Sequence, residues 1–469
     1  MRKNVIDRFS ARPQLTIGRG KTYNSTNFLC ASAAALCLML PTGAHAQGEK
    51  WATGDWGGLR NELEAQGVSL GVTYMSQMAR NLSGGYNTQS KTEYIDQISV
   101  LGKVDLDKMF GISNASIDML LVDRNHSDQS LSVNRINDPR TSSLNVAQES
   151  SGGGSVWRLG LLAYKQSFFD NTLTVRAGRI NKVWDFDNAL PCDFQSLNLC
   201  GGKSATNLIW YNWRVSSWGA TVKYNLTPQL ALKTGVYEQN PKSLENDQGF
   251  SFSTKGKRGV IIPAEVEWHP SLFPGKADTS LPGTLLVGLD YSTANANDLY
   301  YNEDGTAKAL GGTAKVHDNQ IHYYFAMEQQ VTNPDGKNTK RGARVFLTGG
   351  YNDARTATQQ QAYSTGVRYY GPFASRPDDV IAMGVDAKII NKYYVKNSKL
   401  RHDLSGIEDY DNPSYVPVPG NQYSTELYYR AQITPWFSLQ PSVNYWVHPS
   451  GLNELKNAFF VGLKTSITF

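Results

Sequence analysis

The chain has 469 residues, of which 40% are hydrophobic and 19% charged, with a formal net charge of +5 and a polar mean hydropathy of −0.42. Six of its 46 basic and one of its 41 acidic residues fall within positions 1–46, so the remainder carries 40 of each and is neutral. Neutrality leaves no composition argument for a nucleic-acid partner or a polybasic lipid-binding surface, and no stretch after position 46 reaches the roughly eighteen consecutive apolar residues of a helical membrane span.

The amino end reads as a secretory signal. Arg2, Lys3, Arg8, Arg12, Arg19 and Lys21 form a basic region, residues 28–40 (FLCASAAALCLML) are largely apolar, and Ala44-His45-Ala46 fits a small-x-small cleavage site. Leu29 and Leu36, not small residues, precede Cys30 and Cys37, so no lipid anchor is expected. Residues 1–46 are therefore expected to be cleaved, 47–67 to form an N-terminal periplasmic segment, and 68–469 to form the main body. Within 47–67, Asp55 can cap a short helix, Leu59 and Leu63 share a helical face, and Gly67 can end it.

After Gly67 the hydrophobic period changes from helical to two. Val68, Leu70, Val72 and Tyr74 alternate with Ser69, Gly71 and Thr73, a pattern that puts apolar side chains on one face of a strand. Comparable segments start near 98 and 115, then lie near 156–168, 173–181, 214–225, 229–238, 259–268, 284–292, 319–331, 343–352, 360–370, 379–390, 422–433, 437–448 and 457–469. That makes sixteen, and an even count closes an antiparallel barrel with both chain ends on one side. Connections alternate between short (Asp170-Asn171, Thr227-Pro228, Thr434-Pro435-Trp436) and long (125–155, 182–205, 240–258, 293–318, 391–421), as in outer-membrane barrels. High aromatic content (25 Tyr, 10 Trp) on a polar-average chain agrees, because only half of each spanning strand must be apolar. The predicted fold is all-β: a closed antiparallel transmembrane β-barrel of about sixteen strands with a short N-terminal helical segment.

Few motifs carry covalent chemistry. Gly201-Gly202-Lys203-Ser204 resembles the end of a phosphate loop, but Leu197 stands where the first glycine belongs. The seven histidines show no HExxH spacing, and there is no G-x-S-x-G elbow. No cofactor is implied. Cys192 and Cys200, in CDFQSLNLC, read as a disulfide stapling an outer loop, with a metal pair as the alternative. If apolar faces meet lipid, strand parity turns Arg158, Arg176, Arg344, Arg368, Arg430, Lys103, Asp118, Glu265, Glu267 and Glu426 towards the lumen. A charge on the lipid face near the midplane would cost on the order of 2–4 kcal/mol. Opposed arginines and carboxylates can hydrogen-bond vicinal hydroxyls; the plainer reading is that they pair and stiffen the wall. Trp157, Trp210, Trp213 and Trp218 lie towards strand ends, where girdle and sugar-stacking roles both fit.

Four ordered stretches resemble the carbohydrate-selective porins of the OprB type. They are GDWGGLRNELEAQGVSL (54–70), YKQSFFDNTLTVRAGRIN (164–181), CDFQSLNLCGG (192–202), and TELYYRAQITPWFSLQPSVNYWVHPSG (425–451) followed by the terminal strand. The resemblance implies a sixteen-strand outer-membrane barrel of a Gram-negative bacterium, embedded in lipid, that passes monosaccharides such as glucose by passive diffusion. It implies no enzymatic activity and a constriction that includes arginines. By motif, Arg176 and Arg179 match the family's arginine pair, although parity puts Arg179 on the opposite face. It also implies that the barrel-assembly machinery recognises the strand ending in Phe469. A general ion or small-solute porin is the alternative function and an outer-membrane enzyme a more distant one; both a monomer and a homo-oligomer remain open.

Overall fold

The computed structural model describes residues 50–126, 131–141, 145–150, 153–188, 190–200, 209–211, 213–274, 280–336 and 340–469. The expected leader, 1–46, lies outside them. Seventeen strands among the described residues join in one sheet. The short Ser271–Pro274 strand only flanks the start of its neighbour, and the other sixteen close an antiparallel barrel. In chain order these are β1 (Val68–Ser83), β2 (Thr92–Asp105), β3 (Ala115–His126), β4 (Arg158–Phe168), β5 (Leu173–Ile180), β6 (Ser217–Thr227), β7 (Leu230–Gln239) and β8 (Gly259–Trp268). They continue with β9 (Ser280–Ser292), β10 (Gln320–Gln330), β11 (Gly342–Asn352), β12 (Gln359–Tyr370), β13 (Val380–Ile390), β14 (Gln422–Thr434), β15 (Phe437–Val447) and β16 (Ala458–Thr468). β1 closes the ring by pairing with both β2 and β16, with Thr73 opposite Ser99 and Thr468.

The period of two becomes a two-sided wall. On β14, Tyr423, Leu427 and Ile433 are 42%, 43% and 52% exposed, whereas Ser424 and Glu426 are only 4% and 1% exposed. A water-soluble sheet would show the reverse. So large an apolar exterior needs lipid against it, and the burial of the inward polar set means that the lumen is partly filled. Asp96 and Asp123 interrupt the apolar exterior near the ends of β2 and β3, and both accept from Asn125 Nδ2, at 2.9 and 3.2 Å.

Local chemistry sets the short turns. Between β4 and β5, Phe169, Asp170 and Asn171 all have positive φ (53°, 52° and 65°). Between β6 and β7, Thr227 Oγ1 accepts from the N–H groups of Gln229 and Leu230 at 3.2 and 3.0 Å, while Pro228 fixes φ. A five-residue helix, Leu106–Phe110, links β2 to β3, capped by the Asp105 side chain.

The start of the described chain and its last strand meet at this turn end. Ala52 N–H donates to Thr468 O and Phe469 N–H to Val72 O, each at 2.8 Å. The short helix forms as Leu59–Ala65, and Gly67, at φ +97°, follows its end. The expected cap is corrected: Gly58 occupies the N-cap position without a side-chain bond, because the Asp55 carboxylate is engaged one turn earlier by Gly57 N–H at 3.1 Å. Arg60 is stacked between Trp51 and Trp56, 4.3 and 4.1 Å from their ring centres.

At the opposite, loop end the connections carry structure of their own. A two-stranded ribbon (Ala296–Asn302 with Ala314–His317) and a helix, Lys392–Ser405, occupy stretches expected to be plain loops. The helix sequence KYYVKNSKLRHDLS has little apolar stripe, so its periodicity is weak in sequence.

Candidate functional site

The described parts of the β5–β6 connection turn into the lumen instead of standing out from the rim. Their disulfide, Cys192–Cys200, closes a small ring. Leu190, Phe194 and Leu199 pack against inward side chains of the opposite wall, including Leu286, Phe346, Val380, Ala382 and Tyr428. Burial of each large apolar side chain contributes roughly 1.5–3 kcal/mol.

Charged wall residues hold the same ring. Glu426 accepts the N–H groups of Gln195 and Ser196 at 2.7 and 2.9 Å. Arg368, fully buried, donates from Nε to both Asp193 oxygens (3.1 and 2.9 Å), from Nη1 to Glu328 (2.8 Å) and from Nη2 to Pro191 O (3.2 Å). The Tyr428 hydroxyl donates to Asp193 at 2.5 Å. Burial pushes the Asp193 carboxyl up, but the Arg368 guanidinium outweighs it and holds the carboxyl below the usual range.

A second connection, from β3 to β4, is also inside. Leu131, Ile136 and Ala147 pack on Ala79, Trp446, Ala458 and Phe460. Gln148 Nε2 donates to Gln77 O at 2.9 Å, and Ser150 N–H donates to Gln77 Oε1 at 3.0 Å. The two connections are tied to each other: Leu197 N–H donates to Val146 O at 3.0 Å and Glu149 N–H to Gln195 O at 2.9 Å. Lys464, on the terminal strand, pairs with Glu149 at 2.5 Å.

Between these loops and the β1–β3 wall lies a cavity of about 310 Å³, within reach of a small-molecule site. Gln97 and Arg124, directly opposite each other on β2 and β3, form one side, and Arg124 Nε donates to Gln97 Oε1 at 2.8 Å. Glu149 and Ser150 come from one inward loop; Lys182, Trp210, Tyr211 and Trp213 come from the other. The Arg124 guanidinium lies 5.8 Å from the Trp213 ring centre. Lys182 pairs with Asp290 at 2.8 Å and sits 5.3 Å from the Trp210 ring centre. Burial pushes the Tyr211 hydroxyl well up, so it remains a neutral donor. The combination offers an arginine fork, an amide and a carboxylate to hydroxyl groups, with indole faces for apolar ring surface. Among the described residues, Glu149, Cys192 and Cys200 form a group with metal-ligand types, but its two sulfurs are bonded to each other.

The structure distributes the sequence-predicted residues among different tasks. Arg368 and Glu426 anchor the Cys192–Cys200 ring, as described. Glu265 accepts from Lys233 (2.8 Å), the Tyr324 hydroxyl (2.9 Å) and Asp187 N–H (2.7 Å), which secures the turn after β5. Glu267 pairs with Lys233 and, at 2.6 Å, with His269. Arg158 donates to the carbonyls of Ser243, Leu244 and Glu245 at 2.7, 2.9 and 3.0 Å, holding the β7–β8 connection. Lys103 and Asp118 are opposite each other on the inward face, and Asp118 lies 3.7 Å from Arg176. Arg344 pairs with Glu328 at 3.5 Å and covers the Tyr370 ring, while Arg430 stands opposite Val380 on the inward face. Arg179 is opposite Leu162 and Trp218, the lipid-side row, and donates to Ser216 O at 2.6 Å. Trp157 and Trp218 are half-exposed at the rim, whereas Trp210 and Trp213 are in the inward loop, because β6 begins at Ser217 and not near 214.

Sequence reasoning missed Gln97, Arg124, Glu149 and Lys182. Arg124 was within reach: it continues the inward parity of Asp118 once β3 is carried past Leu121 to His126. Glu149 and Lys182 lie in connections, where no periodicity reports on facing.

A closed barrel with an apolar exterior, a polar interior and inward-folded loops defines an outer-membrane diffusion channel. The sequence profile of the carbohydrate-selective porin, OprB family, matches residues 89–469. The chain belongs to that family. Porin B of Pseudomonas aeruginosa is 37% identical over 440 residues, spanning 92% of this chain and 95% of that one. The high-pH structure of Pseudomonas putida OprB superimposes with a TM-score of 0.86 at 37% identity, over 91% of this chain and all of that one. Membership places the barrel in the outer membrane of a Gram-negative bacterium and makes it a transport channel for carbohydrate.

Proposed function

We propose that monosaccharides such as glucose diffuse passively through the cavity beside the inward loops, held briefly by Arg124, Gln97 and Glu149 while the rings of Trp210 and Trp213 face the sugar. The observation that carries this reading is the meeting of a guanidinium, an amide and a carboxylate with two indoles in one space inside the barrel. Hydrogen bonds replace the sugar's hydration strongly enough to admit it and weakly enough to release it. The turn-side charges Lys103, Asp118, Arg176, Arg344 and Arg430 line the wet path. Arg158, Arg368, Glu265, Glu267 and Glu426 act through the segments they hold, and Arg179 supports the rim. No bond is made or broken, so the chain has no enzymatic step.

The described part of the N-terminal segment, residues 50–67, stands on the periplasmic side, where the assembly machinery reads the strand ending in Phe469. One chain encloses the whole cavity, so a homo-oligomer multiplies channels without completing them. Liposome swelling tests the function: monosaccharides should enter faster than uncharged non-sugar solutes of equal size, and Arg124→Ala should erase that preference. Equal entry in the unaltered protein would assign it to general small-solute diffusion.

A further inference from the structure

Segment 182–188 has two faces. Lys182, Val183 and Asp187 line the cavity described above, whereas Trp184, Asp185, Phe186 and Asn188 line a separate one of about 370 Å³. The wall of the second cavity includes Lys165 on β4, Arg176 on β5 and Thr221 on β6. It also reaches Asn171 and Asn225 near the short turns, which places it on the turn side of the inward loop.

Lys223, Lys233 and Glu267 in this wall are ion-paired and Thr221 bonds to Asp185, but several polar atoms of Arg176, Asp185 and Trp184 are left unspent. Arg176 is 8% exposed, yet its Nε and Nη1 make no hydrogen bond; its ion pairs, to Asp185 at 3.1 Å and Asp118 at 3.7 Å, are off-line or long. Asp185 Oδ2 and Trp184 Nε1 are buried without partners as well. Arg368, with its donors occupied by carboxylates and a carbonyl, shows what a structural arginine looks like in this barrel. A buried polar group without a partner is costly, so several on three side chains at one cavity point to a visiting guest. The guest must both donate and accept, because a guanidinium stands beside a carboxylate. It must also be neutral overall, because the four cations around the cavity, Lys165, Arg176, Lys223 and Lys233, are matched in number by Asp185 and Glu267 in its wall and by Asp118 and Glu265 behind it. A polyhydroxylated ring meets both conditions, with Trp184 supplying ring surface.

We infer that this chamber is a second sugar station, in series with the first, and that Arg176, Asp185 and Trp184 are its binding residues. The inference rests on the proposed function and adds a site to it. A sugar arriving from the turn end meets this station first; one arriving from the loop end meets the Arg124 cavity first.

Glucose added to one side of a planar bilayer, with block of the ion current as the readout, separates the two. Arg176→Gln and Trp184→Ala should each cut the block from the turn end roughly tenfold, the ratio equivalent to about 1.4 kcal/mol, and leave loop-end block within about twofold. Trp184→Phe should retain most of it. Heat-modifiable migration in detergent confirms that each barrel has folded. Unchanged turn-end block in both variants, or equal loss from both sides, would overturn the second station. In the unaltered protein, two block dwell times should appear; a single dwell time from either side would also overturn it. Absence of any glucose block in the unaltered channel would instead sink the proposed function. Loss of block in Arg124→Gln alone would keep that function and end this inference.

Discussion

Replacing Arg368 by methionine removes the cation that joins the inward ring to the wall. The side chain is fully buried, and its loss leaves Asp193 with the Tyr428 hydroxyl and Glu328 with Arg344 at 3.5 Å. Deleting one partner of a buried ion pair costs about 3–5 kcal/mol. That cost falls on residues 190–200 rather than on the barrel, whose sixteen strands are paired around the full circle. The ring then depends on Glu426, on Gln440 donating to Asp193 O at 2.8 Å, and on the packing of Phe194. A shift of 3–5 kcal/mol changes the ratio of displaced to seated ring by roughly two to three and a half powers of ten. Single-channel conductance should therefore rise and become noisier, and disaccharide entry into liposomes should approach that of monosaccharides. Arg368→Lys keeps the charge but not the fork and should fall between the two. A folded Arg368→Met channel with unchanged conductance and solute ratio would refute the view that this arginine seats the ring.

Three further outcomes follow from the same contacts. Glu426→Gln keeps one acceptor but turns an amide N–H₂ towards the second backbone donor; leaving that buried donor without a partner, about 1–3 kcal/mol, should raise proteolytic cutting near 195. Unchanged cutting would remove Glu426 from the anchor. Converting both Cys192 and Cys200 to serine releases a closure worth about 2.5 kcal/mol for a ring of this size, so amide exchange should speed up within 190–200 and not in the strands; uniform exchange would deny the disulfide a local role. The Asp193 carboxyl titrates below its unfolded value, so its contribution is complete above the ordinary carboxylate range and is lost as pH falls through the lower folded value. Conductance should stay level from neutral pH through that range and rise only below it, with Asp193→Asn already raised at neutral pH. A step at the ordinary carboxylate pH, or one preserved in Asp193→Asn, would place the titration elsewhere.

The barrel was readable because its information is local. Tyr423, Leu427 and Ile433 face lipid and Ser424 and Glu426 face inward through nothing more than the period of the strand. The same rule placed Arg176, Arg344, Arg368 and Arg430 on the inward face and Arg179 on the outward one, as the register has them, whereas Arg158 is inward only because a bulge at Gly160 shifts the period of β4. It could not say what those residues do there. Leu286, Phe346, Val380 and Ala382 are apolar on a face expected to be polar, and only the presence of Phe194 and Leu199 against them explains it.

By itself, then, the sequence determined the strand count, the direction of the faces where no bulge intervenes, the turn chemistry and the family, because each depends on neighbours a few residues apart or on ordered motifs. Tertiary structure alone decided that the β3–β4 and β5–β6 connections fill the lumen, and so which charges are anchors and which remain for a solute. Asp193 meets Arg368 across 175 positions and Gln195 meets Glu426 across 231. Such pairings follow from closing a ring of strands around a folded-in loop, a geometry that no local period records.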